Sequence, residues 1–284
     1  ETDLGSMAAL ARRCTGVEAG DGLWESWLTD EEGALSVGEL DGQLVALGRI
    51  ESVGTREGWV ASQHIDPAFR QQGLTLALTA FQLERAQKLE LRILRWAVGS
   101  ANTSAQRVAA KLGFHRVSVW GSFVGEPFGA GAPELSVLGE AYYSQIQNWL
   151  GKSSLFRASG SVFAAAGAGQ ELTSKVIHSL LAAGQVAGLT GANGVLEAFA
   201  VLAGQPVPRG SATAGGLRAG YVDGEWRSLE RLALALRGQA ARWSQHQVAV
   251  ILTGEPTVRG IFQAAGFQEE PDGRDSWIYE RLLA

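Results

Sequence analysis

The sequence predicts an α/β or α+β fold in two halves, and three observations lead there. Helical and strand signals alternate along all 284 residues instead of segregating, which argues for mixed layers over a sandwich or a bundle. An apolar, β-prone run from Trp59 to Ile65 leads through a short polar loop straight into a helical pattern at Leu74. The second half repeats the first in degraded form at a spacing of about 155 residues.

The elements follow in order. Helices are expected near 3–14 and 21–29, then strands near 34–40, 43–54 and 57–66, with Asp41-Gly42 as the hairpin turn between the first two. Leu74, Ala77, Leu78 and Phe81 recur at helical spacing and open a helix that runs to about Glu90. A strand at Leu91–Val98, a helix at 103–112 and a strand from Phe114 complete the first half. Residues 125–133 are rich in glycine and proline and read as a loop. They set the expected boundary, giving domains 1–133 and 134–284. Leu138, Tyr142, Ile146 and Trp149 suggest a connecting helix. Beyond it, Arg218–Asp223 resembles the strand before the polar loop, and Leu229, Leu232, Ala233 and Leu236 reproduce the helical stripe. Val248–Leu252 matches the later strand, and Ala265-Gly266-Phe267 echoes Leu112-Gly113-Phe114.

Composition narrows the function classes. Apolar residues make up 46% of the chain, ample for a core. No apolar run reaches the roughly eighteen residues of a membrane helix, and the first residues lack a basic-then-apolar leader pattern, so a soluble chain is expected. The net charge of −5 gives no footprint for nucleic acid. Cys14, the single cysteine, excludes an internal disulfide or a cysteine-rich metal site and is expected to be a buried structural thiol. His64, His115, His178 and His246 are isolated from one another, so no metal site is expected.

The chemistry begins at the polar loop. A helix N-terminus presents unpaired N–H groups and partial positive charge, which suits a phosphate or pyrophosphate. Gly73 leaves room there for the backbone to approach a bulky diphosphate. About thirty residues on, Asn102-Thr-Ser-Ala105 opens a short helix that closes in Gly113-Phe114. The pair Arg70-Gln-Gln-Gly73-Leu-Thr75 and Asn102-x-x-Ala105 with Gly113-Phe114 resembles the GCN5-related N-acetyltransferase (GNAT) superfamily. Its acyl-CoA loop reads Gln/Arg-x-x-Gly-x-Gly/Ala, and Thr75 departs from that pattern.

The resemblance implies two tandem domains, each a mixed, mostly antiparallel sheet flanked by helices; the family's usual first strand would lie upstream of Thr2. It implies acetyl-CoA as co-substrate and a primary amine, in a small molecule or a peptide, as acceptor. Cofactor contacts then fall on Ile65, Arg70, Gln71, Gln72, Gly73, Leu74, Thr75 and Asn102. The amide of Ile65 or its neighbour would meet the thioester oxygen, and Asn102 the pantetheine arm, with a helix N-cap as its alternative role. The implied chain is cytoplasmic, a monomer or homodimer, without nucleic acid or membrane partners.

The proton-transfer groups are sparser. The family's usual tyrosine, seven residues after the asparagine, is Ala109 here, and no tyrosine occurs before Tyr142. The family's usual base positions on the preceding strand are Trp59 and Ala61. His64, nearer the loop, titrates in the useful range and is the expected base. Glu51 and Glu57 read as solvated turn charge, and His115 as a strand residue beside the cofactor. Trp24 and Trp27 are candidates for an aromatic wall of the acceptor site.

The second copy departs from the pattern. Asp66 to Leu74 spans eight steps, but Asp223 to Leu229 only six, through Gly224-Glu-Trp-Arg-Ser. Glu225 and Glu230 would set negative charge where a pyrophosphate should sit, so only the first half is expected to bind CoA. The alternative reading is a non-catalytic acyl-CoA-binding or regulatory module.

Overall fold

Asp41 and Gly42 both take positive φ (49° and 78°), the geometry of a tight hairpin whose twist matches its flanking strands. They join β1 (Ala34–Leu40) to β2 (Gln43–Val53), as the sequence predicts. The computed structural model describes residues 4–16, 21–129, 131–165, 168–203, 216–270 and 275–283. Thr2, the first residue of the helix expected at 3–14 and Ala130 of the expected loop lie outside them. The chain forms two compact units, Glu1–Arg116 with Ile278–Ala284, and Val117–Trp277.

The first unit starts with α1 (Leu4–Thr15) and α2 (Asp21–Leu28). After the hairpin come β3 (Glu57–Ile65), α3 (Leu74–Lys88), β4 (Ile93–Gly99) and α4 (Thr103–Lys111). The sheet order is β1-β2-β3-β4 and then the C-terminal strand, Ser276–Leu282. β1, β2 and β3 are antiparallel, and α3 carries the chain across to β4, which runs parallel to β3. On one side Met7, Leu10, Trp24, Trp27 and Leu47 form a core cluster. On α3 the buried face is Leu78, Thr79, Gln82, Leu83 and Ala86, whereas Phe81 of the predicted stripe is 47% exposed. Two polar residues displace the apolar stripe. Thr79 donates back to Thr75 O at 2.8 Å, which lets it be buried at low cost, whereas Gln82 accepts from Gln63 Nε2 through its Oε1 at 2.7 Å and leaves its own buried Nε2 without a partner.

The second unit takes up β5 (His115–Gly125), whose residues Trp120–Gly125 pair with Thr253–Val248. This is why the division at Arg116/Val117 precedes the Gly/Pro-rich loop expected to mark it: from Trp120 onward the strand pairs with residues 248–253 of the second unit. There follow β6 (Ser136–Val137), α5 (Tyr143–Leu150), α6 (Ser154–Ala158), the hairpin of β7 (Val162–Ala164) and β8 (Gly169–Glu171), and α7 (Ser174–Ala182). Next are β9 (Val186–Thr190), β10 (Leu196–Leu202), β11 (Leu217–Gly224), α8 (Trp226–Arg242), β12 (Val248–Thr253), α9 (Pro256–Ala264) and β13 (Phe267–Glu269). Strand order is β5-β12-β11-β10-β9-β6, with β13 also on β5. β9 to β13 with α8 and α9 repeats the order β1 to β5 with α3 and α4. Both copies change register on the strand before the first crossover helix. Leu229, Leu232, Ala233 and Leu236 are fully buried, as predicted.

Candidate functional site

The site arises from a strand pair that comes apart. β3 and β4 are paired from Glu57/Ile93 to Val60/Trp96 and no further, although β3 continues to Ile65 and β4 to Gly99. The cause is one extra residue on β3. Leu47 faces His64 and Arg49 faces Ala61, so three steps on β3 oppose two on β2. Ser62 absorbs the excess at φ 52°, a left-handed conformation that costs a non-glycine residue about 1 kcal/mol. Such a bulge bends its strand, and here it opens a gap between the facing edges of β3 and β4. Asp66 N–H donates to Val45 O on β2 at 2.9 Å. Alternation along the strand therefore turns the N–H of Ile65 to the opposite edge, into the gap.

At the mouth of the gap lies the N-terminus of α3. Asp66 is buried and directly follows β3. Its carboxylate accepts Ala68 N–H at 3.0 Å and Arg13 Nε at 2.8 Å, and these two donors hold its pKa below the ordinary carboxylate value. Pro67–Phe69 makes a single 3-10 turn, Gln71 takes φ 65°, and Gly73 takes φ 81° as the residue preceding α3. A Cβ at Gly73 would meet nothing within 4 Å, so the space over the helix terminus is open. The first-turn N–H groups of α3 face it without intrahelical partners.

Gap and mouth form one cleft of about 910 Å³. His64, Ile65, Arg70, Gln71, Gly73, Leu74, Thr75 and Asn102, all singled out in the sequence, line it. Gln72 is exposed and does not. Asn102 plays the N-cap role as well: its Oδ1 accepts Ala105 N–H at 3.1 Å while the residue sits on the cleft wall. Among the described residues the lining carries three cations, Arg70, Arg107 and Lys111, and neither aspartate nor glutamate. Sequence reading missed Arg107 and Lys111, although their i, i+4 spacing beside Asn102 is the signal that could have found them.

Several expectations change. Cys14 is not buried in a core but lines the cleft from α1, its Sγ donating to Ile65 O at 3.3 Å; burial still pushes its thiol pKa up. Trp24 and Trp27 are packed edge to face, 4.9 Å between centroids, within the core and away from the cleft lining. His115 is 61% exposed and lies off the cleft. Glu57 is no solvated turn charge: it starts β3 and pairs with Arg95, itself 2% exposed. Glu51 is part-buried on β2, and burial raises its pKa. His64 is part-buried on the cleft wall, and the same desolvation lowers its pKa, leaving a neutral imidazole at pH 7. Ala109 is fully buried and supplies no hydroxyl.

The second unit differs at the corresponding place. β11 and β12 also part early, after Ala219/Val250. Here, however, β7 lies against the bulge, so that a Cβ at Gly220 would stand 1.8 Å from Ala164 O. Asp223 is buried like Asp66, but its partners are Trp149 Nε1 at 3.1 Å, Gly224 N–H at 2.8 Å and the Tyr221 hydroxyl. α8 starts directly behind Glu225. A smaller cavity of about 550 Å³ there is lined by Asp223, Glu225, Trp149 and Trp226 among others, a carboxylate-bearing wall unlike that of the first unit.

Residues 6–114, nearly all of the first unit, match the model of the Acetyltransferase (GNAT) family. The whole chain resembles a GCN5-related N-acetyltransferase from Sphaerobacter thermophilus, covering 99% of this chain and 92% of that one at TM-score 0.64 and 16% identity. It also resembles a tandem GNAT protein from the clavulanic acid biosynthesis pathway, over 98% and 94% of the two chains, at TM-score 0.54 and 14% identity. At such identities the likeness is one of fold, and it spans both units. A search of curated proteins returned no match. Among the described residues no helix is long and apolar enough to cross a membrane.

Proposed function

We propose that the first unit transfers an acetyl or related acyl group from acyl-CoA to a primary amine of a small molecule or peptide in the cytoplasm, and that the second unit binds no CoA in this manner. The observation that carries the reading is the gap between β3 and β4 with the open, Gly73-led terminus of α3 at its mouth. The residues fit a CoA thioester: backbone donors and cations for phosphates, unpaired strand edges for the amides of a pantetheine arm, and Asn102 on the wall. Bound acyl-CoA supplies an electrophilic carbonyl with a thiolate leaving group.

In this reading the N–H groups from Arg70 to Thr75 hold the pyrophosphate, and the N–H of Ile65 polarises the thioester oxygen. His64, kept neutral by burial, accepts the proton of the attacking amine directly or through one water, and can return it to the departing sulfur. The balance is one C–N bond formed, one C–S bond broken and one proton moved from nitrogen to sulfur.

Thiol release from acetyl-CoA over a panel of primary amines, with calorimetric titration of CoA, tests the proposal; one CoA per chain and turnover on at least one amine are expected. Two CoA per chain would refute the division of labour, and no CoA binding would refute the reading itself. The second reading, a binding module without turnover, is favoured by Ala109 at the family's tyrosine position and would show as tight CoA binding with no thiol release. For His64, the rate kcat/KM is expected to fall with decreasing pH through a value below 6.5, the direction in which burial moves its pKa. His64→Ala should lower the rate at neutral pH by about a hundredfold and remove that acidic limb. A variant that keeps the parent's limb rules His64 out as base.

A further inference from the structure

The wall of the cleft opposite β3 is built from β4 and α4, and both are tied to the far end of the chain. α4 has nine residues and buries only Ala105 and Ala109. So short a helix with so little apolar contact holds its place poorly by itself. Arg281, on the C-terminal strand, donates from its guanidinium to Leu112 O, the carbonyl at the C-cap of α4. There it also meets the negative end of the helix dipole. Glu280, the preceding residue, accepts from Arg95 Nε and Nη2, both at 2.8 Å. Arg95 stands immediately before Trp96, Ala97, Val98 and Gly99, which form the β4 side of the gap. Leu283 N–H donates to Arg92 O at 2.8 Å, extending the attachment to the residue before β4. Alternating side chains of one strand thus reach the two elements that carry Asn102, Arg107, Lys111 and the free edge of β4.

We propose that Arg281, assisted by Glu280, is a positioning residue for this cleft: the last strand of the chain sets α4 and β4 at the separation from β3 that receives acyl-CoA. The inference rests on the acyl-CoA reading of the cleft for its ligand, but not for its geometry. It gives the second unit a consequence even without a CoA site, because Arg281 and Glu280, which tie α4 and β4, follow the second unit in the chain.

The test uses the full chain with Arg281→Ala, Arg281→Lys and Glu280→Gln, measuring amide hydrogen exchange together with CoA affinity. In Arg281→Ala, amides of 105–112 are expected to exchange at least tenfold faster while those of α3 keep their protection, and the Kd for CoA rises about tenfold. Arg281→Lys retains a charged donor and should restore much of both. Glu280→Gln should speed exchange at 96–99. Unchanged exchange in α4, or a uniform rise across the first unit, overturns the positioning role, since the latter is what a merely stabilising residue produces. If exchange behaves as expected but the parent chain binds no CoA, the acyl-CoA reading falls and the positioning of α4 stands.

Discussion

Gly73→Glu is expected to weaken CoA binding at least a hundredfold while thermal unfolding shifts by only a few degrees. The two effects separate because the site is empty space in front of a charged terminus. A Cβ at Gly73 has no neighbour within 4 Å, so the new side chain displaces nothing in the folded protein. Its backbone cost is that of a left-handed residue at φ 81°, about 1 kcal/mol. A carboxylate there stands where a diphosphate is to be received, and near a surface a like charge at about 5 Å costs on the order of 3 kcal/mol. That is roughly a factor of a hundred in Kd. Gly73→Ala isolates the strain: about 1 kcal/mol of stability and less than tenfold in affinity. Calorimetry on the three proteins decides the matter. Equal affinity of Gly73→Glu and parent would mean that the terminus of α3 does not seat the phosphates, and the assignment of the cleft would go with it.

The elements were legible where local chemistry fixes them. Asp41-Gly42 demands a tight hairpin, the gap between Ile65 and Leu74 demands a loop, and the period of Leu229 to Leu236 demands a buried helix face; each is found where the residues place it. Legibility fails where tertiary partners rewrite a local signal. Phe81 completes an apolar stripe on α3, yet the helix turns Thr79 and Gln82 inward, where Thr79 bonds the backbone and Gln82 Oε1 accepts from Gln63. Glu57 looked like turn charge because its partner Arg95 is 38 residues away. The sequence places the domain boundary at a Gly/Pro-rich loop, whereas the units divide at Arg116/Val117 within β5, and the return of the chain from Ile278 to the first unit leaves no trace in composition. At the candidate site, the loop and Asn102 could be read from spacing. The gap could not, since it depends on a single extra residue at Ser62 that no motif records. Neither could Cys14 and Thr15, which reach the cleft by the docking of α1.

Arg107→Ala with Lys111→Ala is expected to weaken CoA by about thirty- to a hundredfold at low salt, with the loss shrinking as ionic strength rises. Both side chains are exposed on one face of α4, four residues apart, and both line the cleft with Arg70. Three cations without a carboxylate among the described lining residues make a field suited to a polyanion. CoA carries its charge in two places, the pyrophosphate and the 3′-phosphate of the adenosine. Arg70 and the terminus of α3 lie together at the loop, which leaves Arg107 and Lys111 for the second group. Each charge-assisted contact at a partly exposed site contributes about 1–1.5 kcal/mol, so two give the stated factor. Because the contacts face solvent, screening at a Debye length near 8 Å reduces them at about 0.15 M salt and more beyond. Comparing CoA with its 3′-dephospho form makes the assignment specific. The parent should prefer CoA by about tenfold or more, and the double variant should bind the two alike. A double variant that loses affinity equally for both ligands would instead place Arg107 and Lys111 on the pyrophosphate, with the loop residues sharing a load that the geometry of α3 alone was expected to carry.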